Sequence, residues 1–248
     1  MNNKIKKQIS NLINWINKQI KNAKKDGVVI GISGGIDSAC CLALCKQIKN
    51  IEIHTYYFYF QQNKEELKYI NDLRKSFKIK INKINLSKSL KEIQSSIKIK
   101  NKLSLNNLKV RLRSICLYGI AQHKNLLVVG TSNADEIYVG YFTKFGDVSG
   151  DLAPIASLTK NNVYEISKYL KIPQSIINRT PSAGLYKGQT DEKELKVKYT
   201  DIDNYLLGKP ISNAAKNRIE QLHKQTAHKR IFINKPECCS RYNKCCKN

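Results

Sequence analysis

The chain has 248 residues, 41% hydrophobic and 25% charged, with a formal net charge of +25. These values are those of a soluble globular protein, long enough to bury roughly three quarters of its unfolded surface without covalent staples, and no apolar run approaches the ~20 residues of a membrane span. Only seven of the 44 basic residues are Arg and the lysines are spread along the whole chain, which argues against nucleic acid as the main partner and suits an anionic small substrate.

The basic N-terminal stretch lacks a signal-peptide core and a small-residue cleavage site, so it is read as part of the fold, in the cytoplasm. Ile5, Ile9, Leu12, Ile13, Ile16 and Ile20 recur at spacings of three and four, one stripe of an amphipathic helix. Trp15 falls off the centre of that stripe, where it can meet a neighbour or a partner subunit. The run 27–33, GVVIGIS, reads as a strand buried on both faces. A helix over 36–49 follows, then a strand over 51–59, a polar-faced helix over 63–77 and a strand over 78–86. The stretch 89–104 is ambiguous. A helix over 106–124 and a buried strand over 125–132 complete the pattern.

Strands thus alternate with helices four times, with no internal repeat and no Pro/Ser-rich linker. The expectation is α/β: a single domain over 1–248 with a doubly wound, mainly parallel sheet, helices on both faces and a helical C-terminal extension. Ligands of such sheets bind beyond strand carboxyl ends, here the loops after Ile32 and Val129.

Cys40, Cys41, Cys45 and Cys116 lie in apolar helical patterns and read as small core residues. Cys238, Cys239, Cys245 and Cys246 have no CxxC spacing and read as reduced thiols in a tail rather than a zinc site.

The loop at 33–38, SGGIDS, joins a strand to a helix. Its glycines let backbone N–H groups turn toward an anion at a helix N-terminus. Ser33 and Ser38 can donate hydroxyl hydrogen bonds. Asp37 is out of place beside phosphate unless a divalent cation lies between them; the bland reading is a tight turn with Asp37 as N-cap. There is no Gly-Lys-Ser/Thr.

This loop resembles the pyrophosphate loop of the N-type ATP pyrophosphatases, which cleave ATP between its α and β phosphates and adenylate a substrate oxygen. Three further stretches resemble the NAD synthetases within that superfamily, over about residues 10 to 232. They are NLKVRLR at 107–113, the long run at 130–160 from GTSNADE to ASLTK, and the run at 181–208, followed by TAHKR at 226–230. The resemblance implies an adenine-nucleotide-binding fold of the ATP pyrophosphatase type and amidation of deamido-NAD to NAD. The steps implied are adenylation of the carboxylate, attack by ammonia, and release of AMP and pyrophosphate.

By match, Gly31, Ile32, Ser33, Gly34, Gly35, Ile36, Asp37, Ser38, Thr131, Lys160 and Ser182 would contact ATP. Asp37 and Glu136 would hold Mg²⁺. Arg111, Lys144, Asp151, His228 and Lys229 would contact deamido-NAD. Lys160 would steady the departing pyrophosphate, and Asp147 is the candidate for recruiting ammonium and helping it shed a proton. The family's GDGG reads GDVS at 146–149, a less flexible loop. The resemblance also implies a homodimer sharing its substrate cleft. Glutamine-using relatives carry a large amidase domain that these 248 residues do not accommodate, so free ammonia is the expected donor. The segment 184–196, rich in Gly, Lys, Asp and Glu, has the composition of a lid over ATP. The rival readings are a tRNA-modifying ATP pyrophosphatase and a non-catalytic nucleotide-binding or RNA-binding protein.

Overall fold

The computed structural model describes residues 2–182 and 190–233. Cys238, Cys239, Cys245 and Cys246, and the 184–189 part of the expected lid, lie outside the described residues.

The elements follow in chain order: α1 (Asn2–Asn22), β1 (Gly27–Gly31), α2 (Ile36–Cys45), β2 (Glu52–Tyr59), α3 (Lys64–Phe77), β3 (Asn82–Asn85), α4 (Ser87–Ser96), α5 (Lys102–His123), β4 (Leu126–Val129), α6 (Ala134–Val139), α7 (Lys160–Tyr169), α8 (Gln174–Ile177), α9 (Asp191–Leu195), α10 (Tyr199–Leu206), α11 (Asn213–Gln225) and α12 (Ala227–Arg230). The four strands form one parallel sheet in the order β3-β2-β1-β4. Successive strands run outward from β1 to β3, and the chain then returns to place β4 on the other side of β1. The loops after β1 and β4 therefore leave in opposite directions, and the crevice between them is the ligand position of this sheet type.

Alternate residues of β1 feed two cores. Val28 and Ile30 pack with α1, α2 and α7, whereas Val29 packs on the opposite face with α4 and α5. Every residue of α2 except Asp37 is buried, including Cys40, Cys41 and Cys45. This helix is sandwiched between the sheet and α1 and α7, so the thiols are packed away from solvent, and Cys41 Sγ donates to the Gly130 carbonyl at 3.8 Å; burial pushes the thiols of Cys40 and Cys45 up to about 12. On α1 the predicted stripe points inward through Ile9, Ile16 and Ile20, and Trp15 remains 39% exposed.

Boundaries moved where local chemistry decides them. The ambiguous stretch resolves into α4 and the start of α5, whose N-cap Asn101 accepts the Ser104 N–H. The 78–86 strand shrinks to β3, an edge strand whose Lys83 faces outward. Beyond β4, a third cluster built on Val139, Leu195, Tyr199, Ile202 and Ile219 joins α6 to α9, α10 and α11. Gly140 ends α6 in the left-handed region at φ 68, and a Cβ there would fall 2.2 Å from the Thr226 side chain. The absence of a side chain at Gly140 is what lets the C-terminal helices dock.

Candidate active site

The loop after β1 is held by its own serines. Ser33 Oγ accepts the Gly35 N–H at 3.2 Å and lies 3.2 Å from Ser38 Oγ, which in turn donates to the Gly35 carbonyl at 3.1 Å. Gly34 adopts φ +75, a conformation that glycine reaches without strain. Gly35 is the N-cap of α2 and uses no side chain to cap it. Asp37 therefore sits inside the first turn and is not the N-cap, which removes the bland reading of that residue.

Across the crevice, Asn133 and Glu136 form a reciprocal capping box at the start of α6. The same Asn133 donates through Nδ2 to Asp37 Oδ1 at 3.0 Å, joining the two loops. Lys160, the first residue of α7, then brings its ammonium between two carboxylates, 2.7 Å from Asp37 Oδ2 and 3.3 Å from Glu136 Oε1. Lys160 is 3% exposed, and its Nζ lies 4.9 Å from the Tyr199 ring centre. Burial works against the Lys160 ammonium, but Asp37 and Glu136 outweigh it and hold its pKa above the ordinary lysine value. Burial, with the charges of Asp37 and Asp191, raises Glu136, opposed by Lys160.

The backbone of Lys160 is also fixed by carboxylates. Asp203 on α10 accepts the Lys160 N–H at 3.0 Å and the Asn161 N–H at 2.9 Å, and Asp135 on α6 accepts the Lys160 N–H at 3.3 Å. Burial and the neighbouring Asp203 push the Asp135 carboxyl upward. Negative charge at a helix N-terminus is favourable, so two elements far apart in sequence cooperate to set where α7 begins.

These groups open onto a cavity of about 610 Å³. Among the residues singled out in the sequence, Gly31, Ile32, Ser33, Gly35, Ile36, Asp37, Ser38, Thr131, Glu136, Asp147, Lys160, Ser182 and Lys229 line it, whereas Gly34, Arg111, Lys144, Asp151 and His228 do not. Arg111 Nε donates to the Lys144 carbonyl at 3.1 Å and Lys144 Nζ to the His228 carbonyl at 2.8 Å, so these three form their own cluster. Lys229 Nζ donates to the Gly140 and Phe142 carbonyls, both at 2.9 Å. Asp151 accepts the Val128 N–H at 2.8 Å, extending the end of β4. Asp147 lines the cavity and is exposed to it; desolvation raises its carboxyl, opposed by the Thr143 N–H, which it accepts at 2.7 Å.

Sequence reasoning missed Arg113 and Arg179, which line the cavity, and Asn133 and Asp203, which position Asp37 and Lys160. The second arginine of NLKVRLR was a visible signal for Arg113; it lies 5.3 Å from the Phe60 ring centre. Among the described residues there is no group of three or more His, Cys, Asp or Glu side chains suited to a metal. Asp37 and Glu136 are instead a pair of oxygen donors that already share a cation, and such a pair with phosphate oxygens is a donor set that suits Mg²⁺.

The family profile for NAD synthase matches residues 8–232. The chain belongs to the NAD synthase family. It is 47% identical over 231 residues to the NH3-dependent NAD+ synthetase of Malacoplasma penetrans, covering 90% of this chain and 92% of that one. Among solved structures, the NMN synthetase of Francisella tularensis superposes with a TM-score of 0.88 at 35% identity, over 94% of this chain and 99% of that one. The NH3-dependent NAD synthetase of Campylobacter jejuni gives 0.78 at 27% identity, again over 94% and 99%. The fold is accordingly that of the NAD synthases, the ATP pyrophosphatase type expected from the loop. No described helix is long and apolar enough to cross a membrane.

Proposed function

We propose that the chain catalyses ATP-dependent amidation of deamido-NAD to NAD with ammonia, releasing AMP and pyrophosphate. The observation that carries this reading is the convergence of the 33–38 loop, Thr131, Glu136 and Lys160 on one cavity in a chain of the NAD synthase family. Relatives named for NH3-dependent NAD+ synthesis cover nine tenths of the chain, and they favour free ammonia as donor and disfavour a tRNA substrate.

A carboxylate is a poor electrophile, and joining it to AMP supplies a leaving group. An oxygen of the nicotinate carboxylate attacks the α-phosphorus and the bond to the β-phosphate oxygen breaks, releasing pyrophosphate. Ammonia then attacks the adenylate carbonyl, and AMP leaves with the former carboxylate oxygen. The chain contributes positioning and electrostatics. The Gly34 and Gly35 backbone, Ser33 and Ser38 cradle the phosphates, and Asn133 fixes the Asp37 carboxylate. Asp37 and Glu136 would hold Mg²⁺, which supplies charge neutralisation at the phosphates. Lys160 lies between those carboxylates and compensates their charge. Asp147 recruits ammonium and accepts its proton.

We read the active form as a homodimer with one catalytic unit per chain. Ile115 and Tyr118 on α5 are 64% and 39% exposed, and Arg111, Lys144, Asp151 and His228 lie outside the cavity of one subunit, where they can complete a shared substrate cleft. Such an enzyme, working on ATP and ammonia, belongs in the cytoplasm.

The Francisella likeness favours one further reading, amidation of the mononucleotide to NMN. One assay tests both. The purified protein is incubated with ATP, Mg²⁺ and ammonium, with deamido-NAD, nicotinate mononucleotide or tRNA as acceptor. NAD and AMP should form in equal amounts, glutamine should not replace ammonium, and Asp37→Ala should abolish turnover. Faster turnover of the mononucleotide would move the assignment to NMN, and turnover of tRNA alone would overturn it.

A further inference from the structure

Lys160 is the cation that family resemblance assigns to the ATP phosphates, yet in this chain its ammonium is engaged by Asp37 and Glu136. With both carboxylates ionised, that trio carries a net negative charge at the mouth of the phosphate loop. A polyphosphate arriving there would be met by the Mg²⁺ that those carboxylates would hold and by any fixed cation that faces the loop.

Arg179 is placed to be that cation. It follows α8, which is tied to α3 through Ser175 Oγ donating to Asp72 Oδ2 at 2.7 Å. Its guanidinium lies 4.8 Å from the centre of the Tyr69 ring, and Nη1 donates to the Ser33 carbonyl at 3.3 Å. A Cβ at Gly34 would stand 3.1 Å from Nη1 and 3.2 Å from Tyr69 Cβ. The glycine thus lets the guanidinium lie against the loop backbone. None of the ion pairs among the described residues includes Arg179. One of its five N–H donors is used at Ser33. Arg179, Thr180, Pro181 and Ser182 line the cavity beside Ser33 and Gly35. A planar fork stacked on an aromatic ring, with free donors beside an anion-binding loop, suits bidentate contact to phosphate oxygens.

We propose that Arg179 is a substrate-binding residue that grips the β- and γ-phosphates of ATP and stays with them as pyrophosphate departs. This deepens the amidation reading and rests on it for the identity of the leaving group. Arg179 thus acts from the Ser33–Gly34 backbone, while Lys160 stays with Asp37 and Glu136.

The test uses the full chain with Mg²⁺ and inorganic pyrophosphate as probe. Calorimetric pyrophosphate binding and product inhibition by pyrophosphate should both weaken at least tenfold in Arg179→Met, with partial recovery in Arg179→Lys. KM for ATP should rise similarly, while KM for deamido-NAD and ammonium stays within twofold. Wild-type pyrophosphate affinity in an Arg179→Met protein that still forms NAD would overturn the inference, and so would a lowered melting temperature with unchanged pyrophosphate inhibition. Failure of the wild-type protein to form NAD would instead overturn the amidation reading, and the binding measurement would then stand on its own as a test of the pyrophosphate contact.

Discussion

Lys160 Nζ lies 2.7 Å from Asp37 Oδ2, an ion pair between side chains 123 positions apart. With Glu136 Oε1 at 3.3 Å, the ammonium occupies the space between the two carboxylates proposed to hold Mg²⁺. The ammonium and the metal therefore bear on the same oxygens. Lys160→Met leaves two carboxylates facing each other, and removing one partner of a buried pair costs roughly 3–5 kcal/mol. The 18% and 16% exposure of Asp37 and Glu136 puts this pair toward the lower end. Urea melts should show that loss without metal, and added Mg²⁺ should restore more stability to the variant than to the wild type. Equal Mg²⁺ responses would contradict the shared-site account.

Asp203 acts on Lys160 only through the backbone, accepting the N–H groups of Lys160 and Asn161. Asp203→Ala should leave those donors unsatisfied, at a cost of about 1–3 kcal/mol. It should also lower kcat at least tenfold while changing KM for deamido-NAD little, with Asp203→Asn intermediate. Steady-state kinetics beside a urea melt separate the two effects. A shifted melt with wild-type kcat would leave Asp203 a purely structural role.

Asp147 carries the pH prediction. Desolvation in the cavity raises its carboxyl, against the opposing Thr143 N–H. A carboxyl with a folded pKa above its unfolded value costs stability while both states are ionised. That cost fades as pH falls through the folded pKa and is gone below the unfolded value. Asp147→Asn keeps an oxygen for the Thr143 N–H, so the variant should be the more stable protein at pH 7 and lose that advantage by about pH 4. Its apparent KM for ammonium should rise several-fold. Unchanged ammonium kinetics would remove Asp147 from the proton step.

The shared cleft predicts a link between assembly and substrate affinity. Ile115→Arg places a charge on the exposed face of α5 and should shift sedimentation at micromolar concentration toward monomer, with a higher KM for deamido-NAD and little change for ATP. A wild-type protein that sediments as a monomer while turning over would contradict the dimer.

The sheet was legible because β1 and β4 are short apolar runs rich in Val, Ile and Leu, each followed by a small-residue loop. The phosphate loop was legible for the same local reason. Where pattern was weak, as at 89–104, the helix ends depended on a cap at Asn101 and on packing of Leu90 against the sheet. The site was legible only as a set of residue types. That Lys160 meets Asp37 rather than open solvent depends on α7 crossing α2. That Arg113 rather than Arg111 faces the cavity depends on the rotation of α5. Arg179 precedes the 181–208 run and Asp203 lies within it, but neither residue type there announces a partner, and only tertiary placement gives them work.

Deamido-NAD labelled with ¹⁸O in both carboxylate oxygens reports directly on whether the carboxylate is adenylated. Each NAD formed should be accompanied by one AMP carrying a single ¹⁸O, with none in pyrophosphate, because the carboxylate oxygen that attacks the α-phosphorus leaves with AMP. Label-free AMP, or ¹⁸O in pyrophosphate, during NAD formation would contradict adenylation of the carboxylate.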